Sequence, residues 1–165
     1  MNEDIAKDSL HAATLDRLDR RILAALQANG RISNQELAAQ VHLSAAQCNR
    51  RHRRLERLGF VKRYEARLDA DRLGLGVTAF VHITMERGQF KEVLKFQRTI
   101  ERMPEILECH AVTGDFDYVC KVVASDLKSL SNFLLGTLAQ LPGVNGVRSS
   151  ICLNELKCTS ALPLA

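Results

Sequence analysis

The sequence predicts an α+β protein with two domains, a helix-turn-helix domain and, after it, a ferredoxin-like domain with the element order β-α-β-β-α-β. Three observations support this prediction. Two helix-capping motifs lie close together behind an amphipathic helix within residues 15–65. Strand and helix patterns alternate through residues 77–160. Residues 66–76 are rich in Asp and Gly and lack a clean period, so we assign them to a linker.

The composition excludes several classes of protein. Of the 165 residues, 46% are hydrophobic and 25% are charged, as in globular domains. No apolar run approaches the roughly 20 residues that span a bilayer, and the polar, acidic start does not resemble a signal peptide. We therefore predict a cytoplasmic protein without a membrane partner, whose residues 1–14 form a loose tail. Five cysteines without a CxxC pair favour reduced thiols over a disulfide framework or a zinc site.

The N-terminal pattern predicts three helices. Ser33 with Glu36 forms a capping box, and Ser44 with Gln47 forms a second one, each ahead of a helical stretch. Two capped helices behind a leading helix are typical of a helix-turn-helix. The strand-like run 60–64 then suggests a small wing or a strand that leads out of the domain. The predicted helices run from residue 15 to an Asn-Gly stop at 29–30, from 34 to about 41, and from 45 to about 58, where a glycine follows.

Positive charge is concentrated in the N-terminal part. Residues 1–67 hold 13 Lys+Arg against 8 Asp+Glu, whereas residues 68–165 hold 10 against 11. Such asymmetry indicates an anionic partner, although charge alone does not separate DNA from RNA or an acidic protein. Five arginines lie between residues 50 and 57, on the third predicted helix, and that placement favours duplex DNA as the partner.

Two roles are predicted for the third helix. The first residues of a recognition helix normally read base edges, while arginines further along neutralise phosphates. Gln47 has a competing use in its capping box, and Arg54 could pair with Glu36 or Asp19 inside the domain. For the arginines as a group, the alternative is a charged helix face that contacts only solvent. The predicted DNA-contacting residues are Ser44, Ala45, Ala46, Gln47, Asn49 and Arg50 at the helix start, Arg51, Arg53, Arg54 and Arg57 as phosphate contacts, and Lys62 and Arg63 in the wing.

The C-terminal part is predicted to contain six elements. A weak internal repeat, Met-Pro-Glu-Ile at 103–106 and Leu-Pro-Gly-Val at 141–144, supports two similar halves, because each proline ends a helix and starts a strand. The predicted strands are Val77–Met85, Ile106–Thr113, Tyr118–Ala124 and Val144–Lys157, and the predicted helices are Gln89–Met103 and a second that Ser125 or Asp126 caps and that runs to about Gln140.

The turn between the two central strands carries Asp115 and Asp117. Two carboxylates so placed suggest acid–base or metal chemistry, a tight strand connection, or the capture of a small zwitterion by backbone N–H groups and an Asp. The residues alone favour the tight connection. Cys109 and His110 point to opposite sides of a strand, so they cannot act as a nucleophile and base pair. With no metal spacing among the other histidines, no catalytic residue and no metal site are predicted.

From Leu15 to about Lys157 the chain resembles the Lrp/AsnC family of bacterial and archaeal transcriptional regulators, the feast/famine regulatory proteins. It departs from the family at Ala45, where many members have Pro, and at His52, where a β-branched residue is common, so we carry over no DNA target sequence. The matching motifs are Leu15–Leu23 with Asn29-Gly30-Arg31, Leu43-Ser44 through Arg53-Arg54-Leu55-Glu56 with Gly59-Phe60-Val61, and Gly114-Asp115-Phe116-Asp117-Tyr118 with Leu141-Pro142-Gly143-Val144.

The resemblance implies a winged helix-turn-helix and a C-terminal αβ sandwich whose sheets form a homodimer, with dimers often assembling into octamers. It implies a sequence-specific DNA-binding regulator, not an enzyme, whose assembly or DNA affinity responds to a small effector, usually an amino acid, with no cofactor. The alternatives are a sequence-tolerant architectural DNA-binding protein and a metabolite-binding module or small enzyme without a DNA role. The implied effector-binding residues are Thr113, Gly114, Asp115 and Asp117, with Thr137 and Gln140 from a neighbouring chain.

Overall fold

The computed structural model describes residues 14–86, 88 and 90–164. One compact unit contains the described residues up to Arg67 and resumes at Lys157, and the other is Leu68–Leu156. Apart from residue 14, the predicted N-terminal tail lies outside the described residues.

The first unit contains three helices, α1 (Arg17–Ala28), α2 (Asn34–Val41) and α3 (Ala45–Arg57). Both predicted capping boxes are confirmed. The Ser33 hydroxyl accepts from the Glu36 amide at 3.2 Å, and the Ser44 hydroxyl accepts from the Gln47 amide at 3.3 Å. A third box, which the sequence analysis missed, begins α1 and uses two aspartates in place of the usual Ser/Thr and Glu/Gln pair.

The connection between α2 and α3 is tight because His42 adopts a left-handed conformation, with φ 58° and ψ 48°. Its amide donates to the carbonyl oxygens of residues 38 and 39, and the Leu43 amide donates to the Ala38 oxygen at 2.9 Å. This geometry ends α2 and allows apolar side chains of all three helices to share one core. The fully buried members are Ile22, Leu37, Val41, Cys48 and Leu55.

The run 60–64, expected as a wing or strand, has no regular secondary structure. The Phe60 amide instead donates to the Leu55 carbonyl oxygen at 3.0 Å, which completes the end of α3. A β-strand requires a ladder partner, and none of the described residues pairs with this run.

The last described residues pack on the helical unit. The Gln27 side-chain amide donates to the Leu162 carbonyl at 3.0 Å, and its Oε1 accepts from the Leu162 amide at 2.6 Å. Arg67 donates to the Cys158 carbonyl oxygen at 3.1 Å, and Leu164 packs against the helical core. Residues 77–160 are predicted to form the second domain, and by compactness the described residues from Lys157 onward group with the first unit.

The second unit is a four-stranded antiparallel sheet with strand order β2-β3-β1-β4, and it confirms the predicted ferredoxin-like arrangement. Its elements are β1 (Val77–Met85), α4 (Phe90–Ile100), β2 (Ile106–Ala111), β3 (Tyr118–Ala124), α5 (Leu127–Gly136) and β4 (Val144–Ile151), with short 3-10 turns at Asp71–Leu73 and Leu138–Gln140.

The two faces of the sheet differ in burial. Along β1, Ala79, Val81 and Ile83 are fully buried in one core with Phe96 of α4 and Leu130 of α5. The alternate β1 residues point to the opposite face. We call this the open face, and it includes Phe80, which is 43% exposed.

The final strand is shorter than predicted, ending at Ile151 and not at Lys157. β4 pairs with β1, and the Ile151 partner is Ala79. The Cys152 amide still donates to the Thr78 carbonyl at 2.8 Å, but β1 begins only one residue earlier, at Val77. The β1–β4 ladder therefore stops within two residues of the start of β1, a limit that only the register reveals.

Three other predicted elements are also too long. The first helix of this unit stops at Ile100 and not at residue 103. Strand β2 ends at Ala111 and not at residue 113, because the Val112 amide already donates to the Asp117 carbonyl oxygen in the turn, at 3.0 Å. The second helix, capped by Asp126, ends at Gly136, and Thr137, at φ −123°, separates it from the 3-10 turn that follows.

Candidate nucleic-acid interface and effector turn

Helix α3 presents a basic exposed face. Cys48 and Leu55 are fully buried and fix the orientation of the helix on the core. The opposite side chains of Arg50, Arg53 and Arg57 recur at helical spacing and are exposed. None of these three guanidinium groups pairs with a carboxylate among the residues that the structure describes. Their charge is therefore available to a phosphate.

Arg51 has a different environment from these three. Its Nη1 donates to Asp16 Oδ2 at 2.7 Å and to Asp19 Oδ1 at 2.8 Å, and Asp19 is only 1% exposed. The hydrogen bonds from Arg51 to Asp19 and Asp16 raise the pKa of the guanidinium. The hydrogen bond from the Asp19 amide, opposed by burial and aided by Arg51, lowers the pKa of the Asp16 carboxyl. Arg51 thus bridges α3 to the start of α1. The prediction that Arg51 contacts phosphates did not include this role.

Arg54 occupies the other side of the same carboxylate. Its Nη1 donates to Asp19 Oδ2 at 3.2 Å. Of the two intradomain partners considered for Arg54, the structure forms the pair with Asp19, while Glu36 accepts from the Ser33 amide at 2.9 Å. That hydrogen bond network with Ser33 also lowers the pKa of Glu36. Two of the five arginines therefore neutralise one buried aspartate.

The start of α3 is exposed at Ser44, Ala45, Ala46 and Gln47, and Asn49 is half-buried. Gln47 Oε1 is held by the Ser44 hydroxyl at 3.1 Å, so the capping use of this side chain is realised. Helix α2 is tied to the same point, because the Asn34 side-chain amide donates to the Ala45 carbonyl oxygen at 3.1 Å.

Tyr64 attaches the segment after α3 to that helix, which sequence reasoning missed. Its hydroxyl lies 2.7 Å from His52 Nε2 and donates to Glu56 Oε1 at 3.1 Å. Burial and then Glu56 raise the pKa of Tyr64 to about 12. Of the two predicted wing cations, Lys62 is exposed and Arg63 pairs with Glu65 at 2.6 Å on the surface.

In the second unit, the turn between β2 and β3 borders an open cavity of about 490 Å³. Gly114 has φ +120°, a conformation that favours glycine. Asp117 has a structural use, since its Oδ2 accepts from the Met85 amide at 2.7 Å and its amide donates to the Ile83 oxygen at 3.0 Å. Asp115 is exposed at the cavity. The lining residues are Thr84, Met85, Glu86, Gly114, Asp115, Asp117 and Asn145.

Comparisons with known proteins match both units. The winged helix-turn-helix DNA-binding model matches residues 15–62, and the Lrp/AsnC ligand-binding domain model matches residues 78–162. The chain belongs to the Lrp/AsnC family. The Leucine-responsive regulatory proteins of Escherichia coli strain K12 and Salmonella typhimurium strain LT2 are each 43% identical over 148 residues, 90% of this chain and 90% of each relative.

Solved structures agree with the assignment of this Lrp/AsnC regulator. A transcriptional regulator from Neisseria meningitidis, in complex with L-Met, has a TM-score of 0.89 and 38% identity, over 92% of this chain and 97% of that chain. An AsnC family transcriptional regulator from Agrobacterium tumefaciens has a TM-score of 0.86 and 32% identity, over 91% and 97%. The family consists of transcriptional regulators, so the interpretation of the chain as a small enzyme is set aside.

Several cavity-lining residues of the Lrp/AsnC regulator were not predicted, notably Thr84, Met85 and Asn145. They lie at the ends of β1 and β4, which the register brings to the turn, with Met85 paired to Val144. A Cβ at Gly146 would lie 2.8 Å from Thr84 Oγ1, so any larger residue there would displace the Thr84 side chain. The sequence signal was the Pro-Gly turn of the second repeat, which precedes Asn145.

The remaining predicted effector residues lie elsewhere in this chain. Thr113 is exposed beside the cavity but does not line it. Thr137 and Gln140 follow α5, where the Gln140 side-chain amide donates to the Leu135 oxygen at 3.2 Å, and neither lines the cavity. Among the described residues, no group of His, Cys, Asp and Glu is arranged to hold a metal ion, and no helix is long and apolar enough to cross a membrane.

Proposed function

We propose that this Lrp/AsnC regulator binds specific duplex DNA sites through α3 and that an α-amino acid at the β2–β3 turn changes its assembly or its DNA affinity. The observation that carries the DNA assignment is the contrast within the arginine cluster. Arg51 and Arg54 are occupied by Asp19, whereas Arg50, Arg53 and Arg57 are exposed without a carboxylate partner among the described residues.

The proposed contacts divide by position on α3. The exposed start of the helix, with Ala45, Ala46 and Asn49, faces base edges, and small side chains there allow close approach to a groove. Gln47 contributes its free amide nitrogen, since only its Oε1 is used by the cap. Phosphate contacts fall to Arg50, Arg53, Arg57, Lys62 and Arg63, while Arg51 and Arg54 support the helix from behind.

For the effector we propose a zwitterion bound at Gly114–Asp117. Backbone N–H groups of the turn receive its carboxylate, and the exposed Asp115 carboxylate receives its ammonium group. Asp117 shapes the turn through the bond from the Met85 amide to its Oδ2, and its side chain lines the cavity beside Asp115 as a second candidate contact. Relatives named for leucine response and the L-Met complex of the Neisseria relative support an amino acid as the ligand class.

We further propose that the open face of the sheet forms a homodimer interface and that dimers assemble into octamers in the cytoplasm. This face carries a stack in which the rings of His82 and Phe116 lie 4.7 Å apart and Arg148 lies 5.8 Å from the Phe116 ring centre. Together with Phe80 it provides the apolar and aromatic surface that a dimer buries. In a dimer, Thr137 and Gln140 of the second copy would complete the effector pocket.

Two measurements on the full-length protein test the proposed function. A thermal-shift screen of the standard amino acids should give a rise in melting temperature with at least one of them, since a ligand that binds the folded state stabilises it. Binding selection from random duplex DNA should enrich a two-fold symmetric sequence. No thermal shift with any amino acid contradicts the effector assignment, and equal affinity for selected and random duplexes at fixed salt indicates an architectural protein instead.

A further inference from the structure

Two cysteines face each other across the hairpin that carries the turn. Cys109 on β2 is the direct register partner of Cys120 on β3. The Cys120 Sγ donates to the Cys109 Sγ at 3.2 Å. Neither residue has a part in the proposed DNA or effector contacts.

The backbone geometry at this pair suits a disulfide. Cys109 and Cys120 are direct partners on neighbouring antiparallel strands, where the Cα atoms of facing residues lie about 4.5–5.5 Å apart. This separation falls within the range that disulfides span. The two sulfurs already lie 3.2 Å apart, so small side-chain rotations that bring them closer by roughly 1 Å allow the bond to form.

The two thiols differ in reactivity. β2 is an edge strand of the sheet, and Cys109 is only half-buried, so a small reagent can reach it. The hydrogen bond from Cys120 stabilises the Cys109 thiolate and lowers its pKa against the opposing effect of burial. Cys120 is fully buried, and its hydrogen bond to Cys109, followed by burial, raises its pKa. Cys109 is thus the attacking thiolate and Cys120 the resolving thiol.

We propose that Cys109 and Cys120 form a reversible intrachain disulfide in response to a low-molecular-weight disulfide such as glutathione disulfide. The Cys109 thiolate attacks one sulfur of glutathione disulfide, the S–S bond breaks, and one glutathione leaves as a thiolate that takes up a proton. The Cys120 thiol then loses its proton and attacks Cys109 Sγ, which releases the second glutathione. Two electrons pass from the protein to glutathione, and excess reduced thiol reverses both steps.

The crosslink closes a ring that contains the Gly114–Asp117 turn. It restrains both strands at the base of that turn, so the turn opens less often in the oxidised protein. Bond formation does not depend on an amino acid at the turn, and its test is therefore independent of the proposed effector.

The experiment exposes the full-length protein to glutathione disulfide, blocks the remaining thiols by alkylation and maps the peptides by mass spectrometry. A C152S/C158S background removes the two other thiols that are not fully buried. We expect a pair of peptides joined through Cys109 and Cys120 that dithiothreitol separates. In the C120S variant the reaction should stop at the mixed disulfide between Cys109 and glutathione. The proposal is overturned if both cysteines are alkylated separately, or if the crosslink forms only in denaturant.

Hydrogen exchange supplies a second readout that needs no substitution in the pair. The amides of residues 112–118 should exchange at least several-fold more slowly in the oxidised protein than in the reduced protein, while those of α1–α3 should be unchanged. Equal exchange in the two forms at the turn would overturn the proposed restraint.

Discussion

Arg51 donates to Asp19 at 2.8 Å, and this contact separates Arg51 from the arginines of α3 that the proposed DNA interface uses. Asp19 is the one charged side chain that is fully buried among the described residues, so its carboxylate needs cationic partners inside the unit. Arg51 and Arg54 satisfy that need. A run of arginines that looks uniform in sequence is therefore divided into supporting and exposed members.

Replacing Arg51 should destabilise the helical unit. In Arg51→Ala the buried Asp19 keeps Arg54, at 3.2 Å, as its cationic partner and loses the shorter bond from Arg51, so we expect the free energy of unfolding to fall by about 1–3 kcal/mol. Urea denaturation followed by circular dichroism measures this loss. Arg53→Ala is the matched control on the same helix and should leave the unfolding midpoint unchanged, because its exposed side chain has no ion pair. Equal midpoints for the two variants would contradict the assigned role of Arg51.

Replacing Arg50 and Arg53 together should weaken DNA binding without loss of stability. Each lost phosphate contact reduces the slope of log affinity against log salt by about 0.9, so the double alanine variant should show a slope lower by roughly 2. Fluorescence anisotropy on one duplex over a range of salt concentrations measures the slope. Lys128→Ala, an exposed cation on α5, is the control and should retain the wild-type slope. A double variant with an unaltered slope would place the DNA surface elsewhere.

The two aspartates of the turn should respond differently to substitution. Asp115→Asn removes the proposed partner of the ligand ammonium, and we expect the affinity for the amino acid that stabilises the wild type most to fall by about 10- to 100-fold. Asp117→Asn replaces the charged acceptor of the Met85 amide by a neutral one, which weakens this hydrogen bond and should lower the melting temperature without ligand. Isothermal titration and thermal unfolding separate these effects.

Glu101→Gln, an exposed carboxylate on the same unit, should change neither quantity. A normal ligand affinity in Asp115→Asn, together with a wild-type melting temperature in Asp117→Asn, would mean that the turn has neither role.

The C-terminal segment should contribute to the stability of the helical unit. Leu164 packs on its core and Gln27 holds the Leu162 backbone at both of its polar atoms. We expect Leu164→Ala to lower the free energy of unfolding by about 1 kcal/mol, because part of its apolar surface is buried. Leu153→Ala is the control, since Leu153 is 97% exposed. If both variants unfold at the same urea concentration, the packed segment adds nothing measurable.

Much of the fold follows from local patterns. The capping boxes at Ser33 and Ser44 gave the start of α2 and α3 because a cap depends on residues three apart, which is a local interaction. Strand ends were less predictable. β4 stops at Ile151, whose partner Ala79 lies two residues from the start of β1, and the sequence of β4 carries no mark of that limit.

By itself, the sequence determined the order of elements, the basic third helix and the acidic turn, since periodicity, capping and charge are properties of neighbouring residues. Only the tertiary structure decided which of these side chains are available. Arg51 is drawn to a buried aspartate 32 residues earlier, Asp117 to the amide of Met85, and Cys120 to Cys109. Such pairings depend on distances across the fold, and the burial of Asp19 makes its pairing costly to leave unformed.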